Sequence, residues 1–424
     1  MPDPVPEIVN GVGYATRAGG GFLHPDVLGA LADGANRAVE IDDLQGAASR
    51  LISRCTGAEA GIVTCGASAA LTLAAAACLA GNDTDLMDRL PDVSACPRQE
   101  IIYPRPGRYD YDHAVRLAGA RLIEIDYSSP DALAQIERAI GPRTAAVGFV
   151  WVGPEERPDF SRVVRLAHAH DLPVIVDAAL SLPPAENLRS FSVRGADLAA
   201  YSGGKHLGGP QGSGILCGRA PLVRSAWLQM VDMDVRPATW SLLPWIEKGW
   251  VARPPRHGIG RSMKIGKETI LALLAALERY DQRDQAAELS AWRTTIEQIE
   301  AGLRGLTALR LERLFPCPSG QPFPVLKIES GSPPAGLSVS QLIARFRQLP
   351  RKILLAEDEE SPDRAYLYPM CLRPGDVDYV IESFHAVVIE SSRWPLEGGI
   401  ANRARNHHES RIPDHGWDGA RRDG

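Results

Sequence analysis

The residues of this 424-residue chain best suited to covalent chemistry lie in Tyr201-Ser202-Gly203-Gly204-Lys205-His206-Leu207-Gly208-Gly209-Pro210-Gln211. They follow the strand-like run Asp197-Leu198-Ala199-Ala200 and set one lysine in a glycine-flanked loop shortly after a serine. A lysine amine in water is protonated at neutral pH and reacts poorly, whereas enclosure lowers its pKa and makes it a nucleophile for aldehydes. The flanking glycines let a flat ring approach backbone that side chains would otherwise cover. Upstream, Asp177 closes the apolar run Pro173-Val174-Ile175-Val176 and places a carboxylate at a strand end. In Thr64-Cys65-Gly66-Ala67-Ser68-Ala69-Ala70 a strand turns into an alanine-rich helix. The first N–H groups of such a helix, with its positive dipole end, suit a phosphate.

Singly, each feature has an ordinary explanation: a solvated lysine in a turn, a capping aspartate, a small-residue bend. Together they are the parts of a pyridoxal 5'-phosphate (PLP) site. Lys205 is expected to form the Schiff base, and Asp177 to hold the proton on the pyridine nitrogen. Ala179 would set a small side chain against the ring, while Ser202 with Gly66, Ala67 and Ser68 would hold the phosphate. Candidate substrate cations are Arg17 in a glycine-rich arm, Arg108 after the second strand, and Arg261 and Lys264 in His257–Lys267. Arg373, in Cys371-Leu372-Arg373-Pro374-Gly375, completes the set, because a bidentate arginine suits a carboxylate. Arg105, Tyr109, Tyr111 and His113 share the Arg108 segment and supply candidates for stacking on the ring. No metal site is expected, since His168-x-His170 and His407-His408 lack Cys, Asp or Glu at ligand spacing. Gly19-Gly20-Gly21 lacks the helix and acidic residue of a dinucleotide fingerprint.

Positioning these groups requires an α/β framework. Short apolar runs at 60–64, 100–103, 121–125, 145–151, 173–177, 197–201 and 214–217 alternate with helical patterns such as 162–169. This predicts a mostly parallel sheet covered on both faces, with ligands beyond its strands' carboxyl ends. The expected organisation is an irregular arm and helix over 1–44, a cofactor-binding large domain over 45–288, and a small C-terminal α+β domain over 289–394. A long helix, Lys267 to Gln285, leaves the large domain, strands fall near 324–329 and 365–368, and a polar tail, expected to be disordered, covers 395–424. The run Ala69–Ala80 reads as a buried helix, too short to span a bilayer. No secretion signal is expected at the N-terminus, and the seven scattered cysteines fit the reduced thiols expected of a cytoplasmic protein. A net charge of −6 argues against nucleic acid as a partner.

Several segments resemble the fold-type-I PLP enzymes related to bacterial selenocysteine synthase. That group includes D-glucosaminate-6-phosphate ammonia-lyase-like proteins and is described as class V aminotransferase-like. The resemblance rests on Gly57–Ala60, Thr64–Ala70, Asp177-Ala178-Ala179, Leu182–Leu188, Gly195-Ala196-Asp197, Ser202–Gln211 and Gly260–Glu268, over roughly residues 8–280. It implies a seven-stranded large domain with a small C-terminal domain, Lys205 as the Schiff-base lysine and Asp177 at the pyridine nitrogen. It also implies a homodimer or higher homo-oligomer with active sites near subunit interfaces. The stretch Leu207-Gly208-Gly209-Pro210-Gln211 is nearest the selenium-transferase form, but the acidic charge offers tRNA little to hold.

The expected activity is that of a PLP enzyme acting through an external aldimine on a small amino acid or amino sugar acid. Elimination across the α and β carbons, of the ammonia-lyase type, leads. Transamination, aldol cleavage and racemisation begin from the same species and stay open, as does a non-catalytic PLP-binding homologue.

Overall fold

The computed structural model describes residues 5–105, 111–331 and 337–393. Arg108, Tyr109 and the polar tail 395–424 lie outside the described residues. Two sheets organise the chain. Strand β1 (Val9–Gly11) comes from the N-terminal arm, and β2 (Ala60–Thr64), β3 (Glu100–Pro104) and β4 (Arg121–Ile125) follow. Next come β5 (Thr144–Val150), β6 (Val174–Asp177), β7 (Leu198–Ser202) and β8 (Gly214–Gly218). The seven from β2 to β8 form one sheet in the order β2-β8-β7-β6-β5-β3-β4. Within it β8 runs antiparallel to both neighbours, and the other pairings are parallel.

Apart from edge strand β4, both faces of this sheet are buried, which explains its continuous apolar strands. In β7, Ala199 and Tyr201 join one core while Leu198 and Ala200 join the other. In β6, Val174 and Val176 face the first and Ile175 the second. The helices α1 (Pro25–Ala35), α2 (Ile41–Thr56) and α3 (Ala67–Ala80) precede or alternate with the early strands. Helix α3 is apolar all round and buried along nearly its whole length. Its alanines bring it close to the sheet. Edge strand β2 is blunted by α2: the Gln45 side chain donates to Val63 O and accepts from Val63 N–H, both at 2.9 Å. Ser49 Oγ accepts from Gly61 N–H at 3.1 Å, so both outward N–H groups of the strand are satisfied.

The second sheet contains β9 (Leu309–Leu314), β10 (Val325–Ser330), β11 (Ile353–Glu357) and β12 (Arg364–Leu367), in the order β1-β11-β12-β10-β9. The arm was expected to be irregular, yet Val9–Gly11 pairs in parallel with Ile353–Leu355. Three residues carry no periodicity, and the pairing partner lies far along the chain. The long helix ends at Gln282, and Asp284 caps a second one, Gln285–Gly302, by accepting from Ala287 N–H at 2.9 Å. Among the described residues no helix is long and apolar enough to cross a membrane.

Candidate active site

The parallel pairing of β6 with β7 brings two expected residues to one sheet edge. Asp177 lies opposite Ala200, two residues before Ser202, and opposite Val150 on the other side. After Ser202 the chain closes a compact loop: Gly203 N–H donates to Ser213 O (2.9 Å), Gly208 N–H to Lys205 O (3.0 Å) and Gly209 N–H to Gly203 O (2.8 Å). A Cβ on Gly204 would collide with the Gln211 backbone, so glycine is required for the loop to fold this tightly. At the start of α3, Gly66 has φ 115°, a region L side chains avoid, and no side chain caps the helix. The N–H groups of the first turn are thereby left for another acceptor.

Gly66, Ala67, Ser68, Asp177, Ala179, Ser202 and Lys205 all line one cavity. Asp177 is buried, and desolvation pushes its carboxyl above the usual range, against the pull of Ala179 N–H (3.0 Å) and Lys205. Burial pushes the Lys205 amine down, while Asp177 pulls it back up. A buried acid and a partly buried amine thus share one cleft, each disfavoured in its charged form.

This set fits PLP. The uncapped α3 amides and two serines suit the phosphate, the buried carboxylate suits a protonated ring nitrogen, and the amine suits an aldehyde. Gln211 Oε1, also on the cavity wall, is buried without a hydrogen-bond partner among the described residues.

The cavity contains residues the sequence did not single out. Thr16, Leu71, Val150 and Trp151 join its wall, as does Leu180. Trp151 could have been found by the rule that implicated Asp177, since it follows the end of the neighbouring strand. Tyr111, 56% exposed, stands on the wall and also in an adjoining outer chamber. Arg17 reaches that chamber too, with Lys205, and its Nη2 donates to Leu355 O at 3.4 Å. The candidates Arg261, Lys264 and Arg373 line neither of the cavities that Lys205 lines. Arg261 pairs with Asp232 at 2.6 Å, and both it and Lys264 line a separate cavity. Arg373 pairs with Glu7 at 3.6 Å and stacks on Phe22. Near Arg261, Asp232, Asp234 and His257 gather exposed ligand atoms, but Asp232 is already engaged by the arginine.

Known proteins sharpen this picture. Residues 49–202 match the DegT/DnrJ/EryC1/StrS aminotransferase family. D-glucosaminate-6-phosphate ammonia lyase of Salmonella typhimurium is 33% identical over 314 residues, covering 71% of this chain and 75% of that enzyme. This chain belongs to the same family of fold-type-I, PLP-dependent enzymes. A solved structure of a D-glucosaminate-6-phosphate ammonia-lyase superposes with a TM-score of 0.73 at 26% identity, covering 92% of this chain and 97% of that one. A Streptomyces 5'-C-glycyluridine monooxygenase-decarboxylase is 28% identical over 400 residues, 92% of this chain and 91% of that enzyme.

Proposed function

We propose that the chain is a PLP-dependent ammonia lyase that eliminates a β-substituent from a small amino acid or amino sugar acid and releases ammonia. The observation that carries this reading is the convergence of Lys205, Asp177 and the uncapped start of α3 on one cavity, in a chain 33% identical to an ammonia lyase. PLP, when bound, supplies an electron sink for negative charge at the substrate α-carbon. Asp177 would keep the ring nitrogen protonated, and Ser68, Ser202 and the amides of 66–68 would hold the phosphate. Ala179 leaves room for the ring, and Tyr111 is available to cover it. Lys205 Nζ, once released, takes the α-proton, because its lowered pKa leaves a lone pair free nearer neutral pH. Arg17 is the described candidate for the substrate carboxylate. A role for Arg261 or Lys264 at this cofactor would require a second copy of the chain.

A second reading is favoured by the relative that spans nine-tenths of both chains: oxidative decarboxylation at the same carbon, consuming dioxygen. One screen separates the readings. D- and L-amino acids with β-hydroxyl or β-chloro groups are incubated anaerobically, without an added 2-oxo acid, and assayed for 2-oxo acid and ammonia. Release under these conditions supports the lyase. Dependence on dioxygen with carbon dioxide release supports the second reading, and dependence on a 2-oxo acid supports transamination.

We further infer a cytoplasmic homo-oligomer of two-domain subunits, with the break near residue 289. The two sheets with separate cores support the division, and the family resemblance supports the assembly.

A further inference from the structure

His206 follows Lys205 directly and is 3% exposed. Three rings enclose it edge-on: Tyr14 from the arm, Tyr280 from the helix Lys267–Gln282 and Trp292 from the helix Gln285–Gly302, with centroids at 6.0, 5.8 and 5.4 Å. Its Nδ1 lies 3.4 Å from Tyr14 Oη, and its Nε2 lies 3.7 Å from Glu288 Oε2. Arg283 Nη1 donates to His206 O at 3.1 Å and to Glu288 Oε1 at 3.3 Å. Tyr14, His206 and Lys205 line the same outer chamber. A phenylalanine could fill this space with no buried nitrogen to satisfy. The imidazole instead stands between two groups able to carry protons, hydrogen-bonded to Tyr14 and within charge-pair distance of Glu288.

Their electrostatics suit transfer. Burial, helped by Arg283, pushes the imidazole down to about 3, so it stays neutral with one N–H and one open nitrogen. Burial pushes the Tyr14 phenol up and, against the pull of Arg283, the Glu288 carboxyl as well. Tyr280 and Cys371, which also face the phenol, are raised by burial and remain neutral.

We propose that Tyr14 Oη is a second proton-transfer group of this site, supplied through His206 by Glu288, and that it protonates the group leaving the substrate β-carbon. The proposal rests on the elimination reading. Lys205 Nζ takes the α-proton, the Cβ–O bond breaks with its electron pair on oxygen, and a double bond forms between Cα and Cβ. Tyr14 gives its proton to the departing hydroxyl, which leaves as water. Tyr14 takes one from His206 Nδ1, and Nε2 takes one from Glu288. When Lys205 returns its proton to Cβ, the substrate nitrogen gives one up, and this runs back along the same three groups. Water then replaces the nitrogen as ammonia, and no oxidant is needed.

The test uses the PLP-loaded enzyme and two substrates differing only in a β-hydroxyl or β-chloro group, since chloride leaves without a proton. Tyr14→Phe is expected to lower kcat about 100-fold or more on the hydroxyl substrate and less than about fivefold on the chloro one. His206→Phe, which keeps a ring in the cage, should give the same selective loss. Equal losses on both substrates overturn the relay and leave elimination standing. A wild-type enzyme that eliminates from neither overturns the elimination reading and the relay's role together. A separate readout needs no cofactor. In cofactor-free protein carrying 3-fluorotyrosine, the fluorine resonance missing from Tyr14→Phe should shift on His206→Phe and on Glu288→Gln. A resonance unmoved by both overturns the coupling of the three groups.

Discussion

Two glycine-rich loops in this chain carry cations, and they end in different states. Lys205 sits in a loop closed on itself, facing buried Asp177, and its amine is pushed down by desolvation. Arg261 and Lys264 sit in a loop of similar composition, but the arginine is tied to the partly exposed Asp232 and the lysine is exposed. Glycine spacing alone therefore does not mark a reactive cation. Enclosure against a buried carboxylate does, because only there does the charged form lose its hydration.

The contrast is broken most severely at Lys205. Lys205→Ala should abolish the imine absorbance that appears when PLP is added and lower turnover by at least about 10³-fold. Retained absorbance would remove the distinction between the loops.

Asp177→Asn comes next, with an expected kcat loss of about 10²- to 10³-fold, since a neutral amide cannot hold a ring proton electrostatically. Its stability effect should have the opposite sign. The folded-state carboxyl is raised by burial, so ionising it costs folding stability. That cost is absent below the unfolded carboxylate range, near about pH 4, and grows as pH rises through the raised folded value. Attraction to Lys205 offsets part of it. Cofactor-free Asp177→Asn should therefore melt above wild type at neutral pH and level with it in acid. A uniform drop in Tm would make Asp177 a structural residue.

Gly204→Ala probes the loop rather than its charge. The added methyl meets the Gln211 backbone, which cannot step aside as a flexible side chain would. A loss of about 1–3 kcal/mol in chemical denaturation is expected, together with weaker PLP retention. An unchanged midpoint would mean that the loop tolerates expansion.

Much of this was legible because it is local. The strand-end position of Asp177, the Ser202–Gln211 loop and the all-apolar helix α3 each reside in a few consecutive residues. The pattern of continuous apolar strands likewise announced a sheet buried on both faces. What stayed hidden depends on distant pairings. Strand β1 exists because Val9–Gly11 meets residues 353–355, and the Tyr14–His206 contact spans the arm and the lysine loop. The separation of Arg261 and Lys264 from Lys205 is a matter of tertiary placement that loop composition does not encode. Trp151 is a different case, visible from the strand-end rule but lacking the charge that draws attention to a site.

The smallest expected effect sharpens the comparison from the other side. Arg261→Ala deletes a 2.6 Å ion pair whose aspartate is 56% exposed, so water and salt already screen it. Its removal should change folding stability by only about 0–1 kcal/mol, with less change still at high ionic strength. Urea denaturation at low and high salt reads both quantities. A loss well above that range, independent of salt, would mean that this loop is desolvated in the protein as it exists in solution. The surface that buries it would then be a second subunit, and the difference between the two loops would belong to the single chain and not to the assembly.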